Sequence, residues 1–291
     1  MDAILQRCFR DRHFNMGMGS EAPDTSLWHY SASKIATKFY QLPAERRRKV
    51  RCMSGDHITY DVDTVFDRPV KFFTILRHPV DRIISSFYFS RRLTFLPCYR
   101  FIKDLTLEQY LDSGIGLDHD NHQVRMLSGC PELDTPWDPE GRPISTPPVR
   151  RPHLEMAKRN IEERFVVAAA LEQFTALVWY LKRLYGWPLR RILFRRTNQS
   201  ADRPKLEDVS KTTRKRLETL NQYDIELHEW VKARLVQQIA PLEPDFSREV
   251  REFDALNREY QRIDGLFLEP LRRAKHRTKS FVKLAVIPEA P

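Results

Sequence analysis

The chain has 291 residues, of which 41% are hydrophobic and 30% charged, and its formal net charge is +10. This composition suffices for a sizeable core and excludes a disordered polyanion, and the positive charge favours a partner that carries phosphate, sulfate or carboxylate. No segment approaches the ~20 apolar residues of a membrane span. Cys8, Cys52, Cys98 and Cys130 are too widely spaced to suggest a zinc site or a disulfide framework.

The first third of the chain alternates helical and extended patterns. Apolar periodicity predicts helices over residues 3–15 and 33–48, followed by a short strand over 50–53. The run KFFTIL, residues 71–76, is almost continuously apolar, which is typical of a strand covered on both faces. A helix is predicted directly after it, because Pro79 suits a first helical position and the apolar residues that follow recur with helical spacing.

The remainder continues the alternation. Thr106 and Gln109 form a capping box that opens a short helix ending near Gly114, and the proline-rich residues 131–152 predict a surface loop. The patterns further along predict helices over 154–164, 171–185 (closed by Gly186), 210–239 and 246–263, strands over 165–170 and 191–194, and a solvated basic tail over 271–283.

Strands that alternate with helices predict an α/β domain with helices on both faces of a parallel sheet. We assign residues 1–240 to this domain and residues 241–291 to a C-terminal helix and basic tail. In such sheets ligands bind beyond the carboxyl ends of the strands, so the residues that follow each buried strand are the candidate site.

Arg77 stands at the end of the most apolar strand and directly before a helix. Helix N-termini have free N–H groups and a positive dipole end, and the planar guanidinium binds two oxygens at once. Ser85, two turns along the helix, can add a hydroxyl donor. Together they predict a phosphate-sized anion site, although the spacing equally allows Arg77 to pair with Asp81 instead.

The segment from Lys71 to Phe89 resembles the 3′-phosphate-binding motif of carbohydrate sulfotransferases, with an Arg, a Pro two residues later and a Ser eight residues after the Arg. In this form it is similar to the heparan sulfate 2-O-sulfotransferase-like family, sulfotransferase family 2. The resemblance runs from Met1 to about Ile239. Further matching segments are Gly55-Asp56-His57 with Tyr60, the Asn-x-Gln-x-Arg-x-Leu-x-Gly stretch from Asn121 to Gly129, Asn160 to Phe165, and Asn198 to Pro204.

The resemblance implies a P-loop-like three-layer α/β/α fold and an enzyme that transfers the sulfuryl group of PAPS (3′-phosphoadenosine 5′-phosphosulfate) to a hydroxyl of a saccharide or related acceptor, which can be acidic. Arg77 and Ser85 would bind the 3′-phosphate, and His57 would be the general base for the acceptor hydroxyl. Asp56 departs from the Gly-His pair of many relatives and can turn His57 away from the acceptor.

A polar loop after residue 194 is implied to close over the phosphates of the donor. Its cations would strengthen the electrostatics of a site from which water is excluded. The cofactor-binding residues that the resemblance adds there are Arg195, Arg196, Arg203 and Lys205. No metal is implied by the family's chemistry.

The family's first strand and its lysine-containing phosphate loop have no counterpart in the sequence. Either the start codon is placed too late, or the chain folds without them. Weak or absent transfer is therefore expected of the 291-residue form, and the alternative function is an inactive sulfotransferase-like protein that binds an anionic ligand or a partner. We expect a cytoplasmic location, or the Golgi lumen for a eukaryotic protein with an upstream anchor.

Three other classes of function are less well supported by the residues. Asp118, His119, Asp120 and His122 crowd one segment, but no third ligand has an obvious spacing for a metal site. The positive charge permits nucleic-acid binding, yet no helix-turn-helix or zinc-finger pattern is present. A phosphoryl-transfer kinase would need a GxxxxGK[ST] loop, which the sequence lacks.

Overall fold

The computed structural model describes residues 1–15, 39–55, 60–94, 99–115, 120–133, 147–195, 208–267 and 283–288. Within them lies a five-stranded sheet with the strand order β1-β2-β5-β3-β4. The strands are β1 (His13–Asn15), β2 (Cys52–Gly55), β3 (Val70–Leu76), β4 (Phe165–Ala170) and β5 (Lys283–Pro288). The pairs β1/β2 and β3/β4 are parallel, whereas β5 runs antiparallel to both of its neighbours.

Helices precede, separate and follow the strands. Those in the described residues are α1 (Asp2–Phe9), α2 (Ala44–Lys49), α3 (Pro79–Ser90), α4 (Tyr99–Ile102), α5 (Leu107–Asp112), α6 (His122–Ser128), α7 (Arg151–Arg164), α8 (Phe174–Tyr185), α9 (Leu189–Ile192), α10 (Lys211–Leu220), α11 (Gln222–Ile239) and α12 (Asp245–Phe267). None of the described helices is both long enough and apolar enough to cross a membrane.

The core lies on both faces of the sheet, because alternate side chains of β3 belong to two different apolar clusters. Successive side chains of a strand point to opposite faces. Phe72 and Leu76 join a cluster that includes residues of α6, α7 and α11, whereas Phe73 and Ile75 join a cluster with residues of α1, α8 and α12. Burying each phenylalanine contributes about 1.5–3 kcal/mol. The predicted arrangement of helices on both faces of a sheet is therefore observed.

A third apolar cluster fixes the helix that follows β3. Val80, Ile83, Ile84 and Phe87 of α3 pack with residues of α5 and with Leu217 of α10. These positions are the amphipathic stripe that the sequence predicts. Because α3 begins two residues after Arg77, its amino end lies at the edge of the sheet where β3 ends.

Several predicted elements are confirmed. The strands over 71–76 and 165–170 are observed as β3 and β4, and the helix after Pro79 is α3. Thr106 and Gln109 make the predicted reciprocal capping box at the start of α5. The ends near Gly114 and Gly186 are also observed, and both glycines have φ above +60°, a conformation that disfavours other residues.

Two predicted elements are wrong, each because tertiary contacts override local periodicity. The helix over 3–15 ends at Phe9, and β1 then pairs with β2. The strand over 191–194 is instead the short helix α9, whose end is held by Arg7 donating hydrogen bonds to the carbonyls of Arg191 and Leu193. Residues 210–239 are mostly helical, as predicted, and Asn221 separates them into α10 and α11.

The sheet is mixed rather than wholly parallel. Lys283, predicted to end a solvated tail, is the first residue of β5; the rest of that segment, residues 271–282, lies outside the described residues. The antiparallel register pairs Lys283 with Ile75 and Leu284 with Gly55. The amino end of β5 therefore meets the carboxyl ends of β2 and β3.

Candidate functional site

Arg77 is the first residue beyond β3, and its backbone is held on both sides by one side chain. The Arg77 N–H donates to Gln123 Oε1 at 2.9 Å, and Gln123 Nε2 donates to the Arg77 carbonyl at 2.9 Å. The Arg77 side chain is 20% exposed. Burial, reinforced by the positive charge of Arg82, lowers the pKa of Arg77 to about 10, so the guanidinium stays charged at neutral pH. The edge of the sheet thus presents a fixed, accessible cation.

The guanidinium of Arg77 pairs with a carboxylate of the following helix. Arg77 Nε donates to Asp81 in the first turn of α3, so the pairing that the spacing allowed is observed. Asp81, Ser85 and Tyr88 are each partly exposed and lie at helical spacing along one face of α3. The structure therefore brings Arg77 to the helix face that carries Ser85, with Asp81 between them in the sequence.

The amino ends of two helices lie at the same edge of the sheet. α3 begins at Pro79, two residues after Arg77. α1 begins at Asp2, whose carboxylate accepts a hydrogen bond of 3.3 Å from Ser54 near the carboxyl end of β2. Both helix termini contribute positive partial charge there. This geometry favours an anionic ligand across the ends of β2 and β3.

Gln123 is itself anchored by a buried carboxylate. Asp224 Oδ2 accepts from the Gln123 N–H at 3.0 Å, and Asp224 Oδ1 accepts from the Val124 N–H at 2.8 Å. In return, Asn121 Oδ1 accepts from the N–H groups of Tyr223 and Asp224 at 2.9 and 3.0 Å. The amino ends of α6 and α11 therefore cap one another. Burial raises the pKa of Asp224, although Arg82 and the donated hydrogen bonds oppose that rise.

The rest of the segment from Asn121 to Gly129 has structural contacts. Buried Arg125 donates to Asp120 at 2.9 Å and to the carbonyl of Leu133 at 3.2 Å. Asn160 closes the other end of α6 by donating to the carbonyls of Leu127 and Ser128. The residues that carry the resemblance here thus hold α6, and with it Gln123, in place.

His78, the residue after Arg77, packs against a second histidine. The rings of His78 and His228 meet edge to face with centroids 5.5 Å apart. Buried His228 lies between Glu172, which follows β4, and Glu229, at 3.3 and 3.2 Å. Burial, and next the proximity of His228, lower the pKa of His78 and so disfavour its charged form.

Other predicted site residues are not brought to Arg77 by the described part of the chain. His57 lies outside the described residues, as do Arg196, Arg203 and Lys205. Arg195 is partly buried, three residues after α9. The expected roles of these five residues stay predictions.

The four residues considered above as a metal cluster are only partly described by the structure. Asp118 and His119 lie outside the described residues, and Asp120 pairs with Arg125. Among described residues, possible ligand atoms of Cys130, Glu132 and His153 lie within 4.8 Å of one another. His153 Nδ1, however, accepts a hydrogen bond from the Arg150 N–H, which leaves the proton of a neutral ring on Nε2 facing Glu132. This tautomer favours a hydrogen bond over a metal ligand.

Sequence reasoning missed what Gln123, Asp224 and His228 do. Gln123 belongs to the quoted segment, but nothing in the segment shows which backbone it contacts. Asp224 is three residues after Asn221, a spacing that resembles a capping pattern of its own helix. It caps α6 instead, a contact across about 100 residues that no local pattern encodes.

The fold and the site define an α/β protein with a partly exposed arginine at a strand–helix junction. Residues 4–277 match the model of the Galactose-3-O-sulfotransferase family, and the chain belongs to that family. It is therefore a carbohydrate sulfotransferase, as expected, and its family implies a P-loop-like fold and PAPS as the donor. The family shown is the galactose one, not specifically the heparan sulfate 2-O-sulfotransferase-like family that the motifs resemble. No curated protein matches the chain.

Proposed function

We propose that the protein transfers the sulfuryl group of PAPS to the 3-hydroxyl of a galactose residue in a saccharide acceptor. The observation that carries this proposal is Arg77, a partly exposed cation fixed by Gln123 at the carboxyl end of β3. It lies within residues matched by the family model, whose description names the galactose 3-oxygen.

The residues at the edge fit the charges of the donor. Arg77 would bind two oxygens of the 3′-phosphate, with the Ser85 hydroxyl as a further donor. The amino ends of α1 and α3 would stabilise the remaining negative charge. We assign Arg195, Arg196, Arg203 and Lys205 to the same donor on the grounds of resemblance. Carboxylates of the described residues at this edge oppose the assignment. Asp81 does so most directly, because an incoming phosphate must compete with it for Arg77, and Asp2 and Glu172 add further negative charge.

The bound donor supplies an electrophilic sulfur and a stable leaving group, adenosine 3′,5′-bisphosphate. His57 would take the proton of the galactose 3-hydroxyl as that oxygen bonds to sulfur and the bond from sulfur to the phosphate oxygen breaks. An imidazole suits this role because its unperturbed pKa is near 6.5. The contribution of Arg77 is positioning and charge stabilisation, which lower the barrier without a covalent step on the protein.

The test is transfer of ³⁵S-sulfate from labelled PAPS to methyl β-galactoside, with the 3-O-methyl derivative as the blocked acceptor. We expect label, weak as anticipated above for the 291-residue form, only in the unblocked sugar. Arg77→Ala should lower kcat/KM about a further 10- to 100-fold, as for removal of a charge-assisted contact. Arg258→Ala is the matched control, since Arg258 also pairs with an aspartate four residues away, on α12.

Equal labelling of both sugars would contradict the assignment to the 3-hydroxyl. A chain that binds adenosine 3′,5′-bisphosphate but transfers no sulfate to any galactoside would support the alternative, a non-catalytic member of the family that binds an anionic ligand. The cytoplasmic location, the domain boundary at residue 240 and an acidic acceptor stay predictions.

A further inference from the structure

We infer that Gln123 is a positioning residue for 3′-phosphate recognition, which it serves by holding the backbone of Arg77 while Asp224 holds Gln123. The inference rests on the proposed function, because it takes Arg77 as the group that binds the 3′-phosphate.

Arg77 needs such a partner because the sheet ends before it. The pairing of β3 with β4 reaches Leu76 and Ala170, and the pairing with β5 reaches only Ile75. The N–H and carbonyl of Arg77 therefore lie beyond both ladders. Gln123 bonds to both groups at 2.9 Å, which is the pair of hydrogen bonds that a neighbouring strand would supply. The amide thus extends the rigidity of β3 by one residue.

The orientation of the Gln123 amide is determined by its surroundings. Gln123 and Asp224 are both fully buried. Gln123 Nε2 faces the Arg77 carbonyl at 2.9 Å and Asp224 Oδ2 at 3.4 Å, two acceptors. A flipped amide would place Oε1 against both of these oxygens and its NH₂ against the Arg77 N–H, so only one orientation satisfies the hydrogen bonds.

Asp224 also fixes the backbone at Gln123. Its carboxylate accepts from the N–H groups of Gln123 and Val124, and its own N–H donates to Asn121. The chain of contacts therefore runs from α11 through α6 to the residue that would contact the ligand. An arginine on a loose backbone samples many positions, and displacement of a binding group by about 1 Å weakens binding steeply.

The experiment separates positioning from stability by measuring a selectivity. Isothermal titration of the full chain gives the affinity for adenosine 3′,5′-bisphosphate and for adenosine 5′-monophosphate, which lacks the 3′-phosphate. Gln123→Met keeps the length of the side chain but removes its hydrogen bonds. In this variant we expect the ratio of the two affinities to fall about tenfold, which corresponds to loss of the charge-assisted contact between Arg77 and the 3′-phosphate. The affinity for the monophosphate should stay within about twofold of wild type.

Gln238→Met is the matched control. Gln238 also donates to a strand backbone, the Val166 carbonyl, at 2.7 Å, but near the opposite end of β4. This variant should lose thermal stability while the ratio of the affinities stays at the wild-type value. Gln123→Asn is the second variant, in case Gln123→Met does not fold: its amide is one methylene too short to reach both groups of Arg77, so the ratio should again fall.

The possible failures are distinct. A wild-type chain that binds the two nucleotides equally would overturn the 3′-phosphate site, and the positioning role with it. A selective wild type with equally selective, folded Gln123 variants would overturn the positioning role alone and leave the proposed function standing. The same would follow if Gln238→Met lost selectivity as much as Gln123→Met, because the effect would then reflect stability.

Discussion

Arg77 and Asp81 form an ion pair across the first turn of α3, at the edge of the sheet where an anionic ligand is proposed to bind. Both side chains are partly exposed, 20% and 30% respectively, so solvent screens the pair and ligands can reach it. The Asp81 carboxylate accepts from the guanidinium that would otherwise donate to a phosphate. The pair therefore holds Arg77 in place and would compete with a bound phosphate for its guanidinium.

Asp81→Asn should strengthen binding of adenosine 3′,5′-bisphosphate. The substitution removes a negative charge in direct contact with Arg77. At a partly exposed site, loss of such a charge changes the affinity for an anionic ligand about fivefold. The increase should shrink with added salt because the interaction is electrostatic. Titration of wild type and variant at two salt concentrations checks both points.

The control for this substitution is Asp254→Asn on α12, which removes an equally spaced partner from Arg258 and should leave the affinity unchanged. Weaker binding by Asp81→Asn would contradict competition and would show that Asp81 preorganises the guanidinium for the phosphate.

Asp224→Ala should destabilise the fold by about 2–6 kcal/mol. It leaves the buried N–H groups of Gln123 and Val124 without their acceptor, and each unsatisfied donor costs about 1–3 kcal/mol. Chemical denaturation measures the free energy of unfolding. Ser210→Ala is the comparison, since Ser210 caps α10 at an exposed site and its loss should cost only about 1 kcal/mol. Equal effects would contradict the reciprocal capping of α6 and α11.

Gly129→Ala should be more destabilising than Gly186→Ala. Both glycines have φ above +60°, where another residue costs about 1–2 kcal/mol. Only at Gly129 does a Cβ meet a side chain, Tyr60 Cδ1 at 2.8 Å, and such overpacking adds about 1–3 kcal/mol. The free energies of unfolding of the two variants give the difference directly, and a difference near zero would show that Tyr60 does not pack on Gly129.

The stability of the protein should decrease below pH 6.5 in part because of His78. Burial and His228 lower the pKa of His78 in the folded state, so the unfolded chain binds the proton more readily. The stabilisation is complete above the unfolded pKa of about 6.5 and is lost as the pH falls towards the folded pKa. His78→Gln should reduce the slope of unfolding free energy against pH in this window; an unchanged slope would contradict the assignment.

Regular elements were predictable where local pattern and tertiary contacts agree. Three elements are predicted by their local sequence alone. These are β3 by its apolar run, α3 by its amphipathic stripe and α5 by its capping box. The predicted helix over 3–15 is too long because residues 13–15 form a strand that pairs with β2. Helical periodicity cannot reveal a strand partner about forty residues away in the sequence. β5 was missed because its short apolar run follows a basic segment that resembles a solvated tail.

The candidate site was predictable only in part for a similar reason. The position of Arg77 follows from a strand that meets a helix, and both partners considered for it, a ligand oxygen or Asp81, are compatible with the sequence. The clamp by Gln123 depends on how α6 and α11 meet, since Asn121 and Asp224 are about 100 residues apart and exchange hydrogen bonds. No periodicity or spacing encodes such a contact.

The most direct test of a 3′-phosphate site at Arg77 is a thermal-shift titration of the chain with adenosine 3′,5′-bisphosphate, with adenosine 5′-monophosphate and ATP as controls. A specific ligand at a hundredfold excess over Kd adds about 2.7 kcal/mol, which raises the Tm of a chain of this size by about 2–4 °C. We expect such a shift for the bisphosphate alone in wild type, and its loss in folded Arg77→Ala. Equal shifts for all three nucleotides, or an undiminished shift in Arg77→Ala, would contradict a 3′-phosphate site at Arg77.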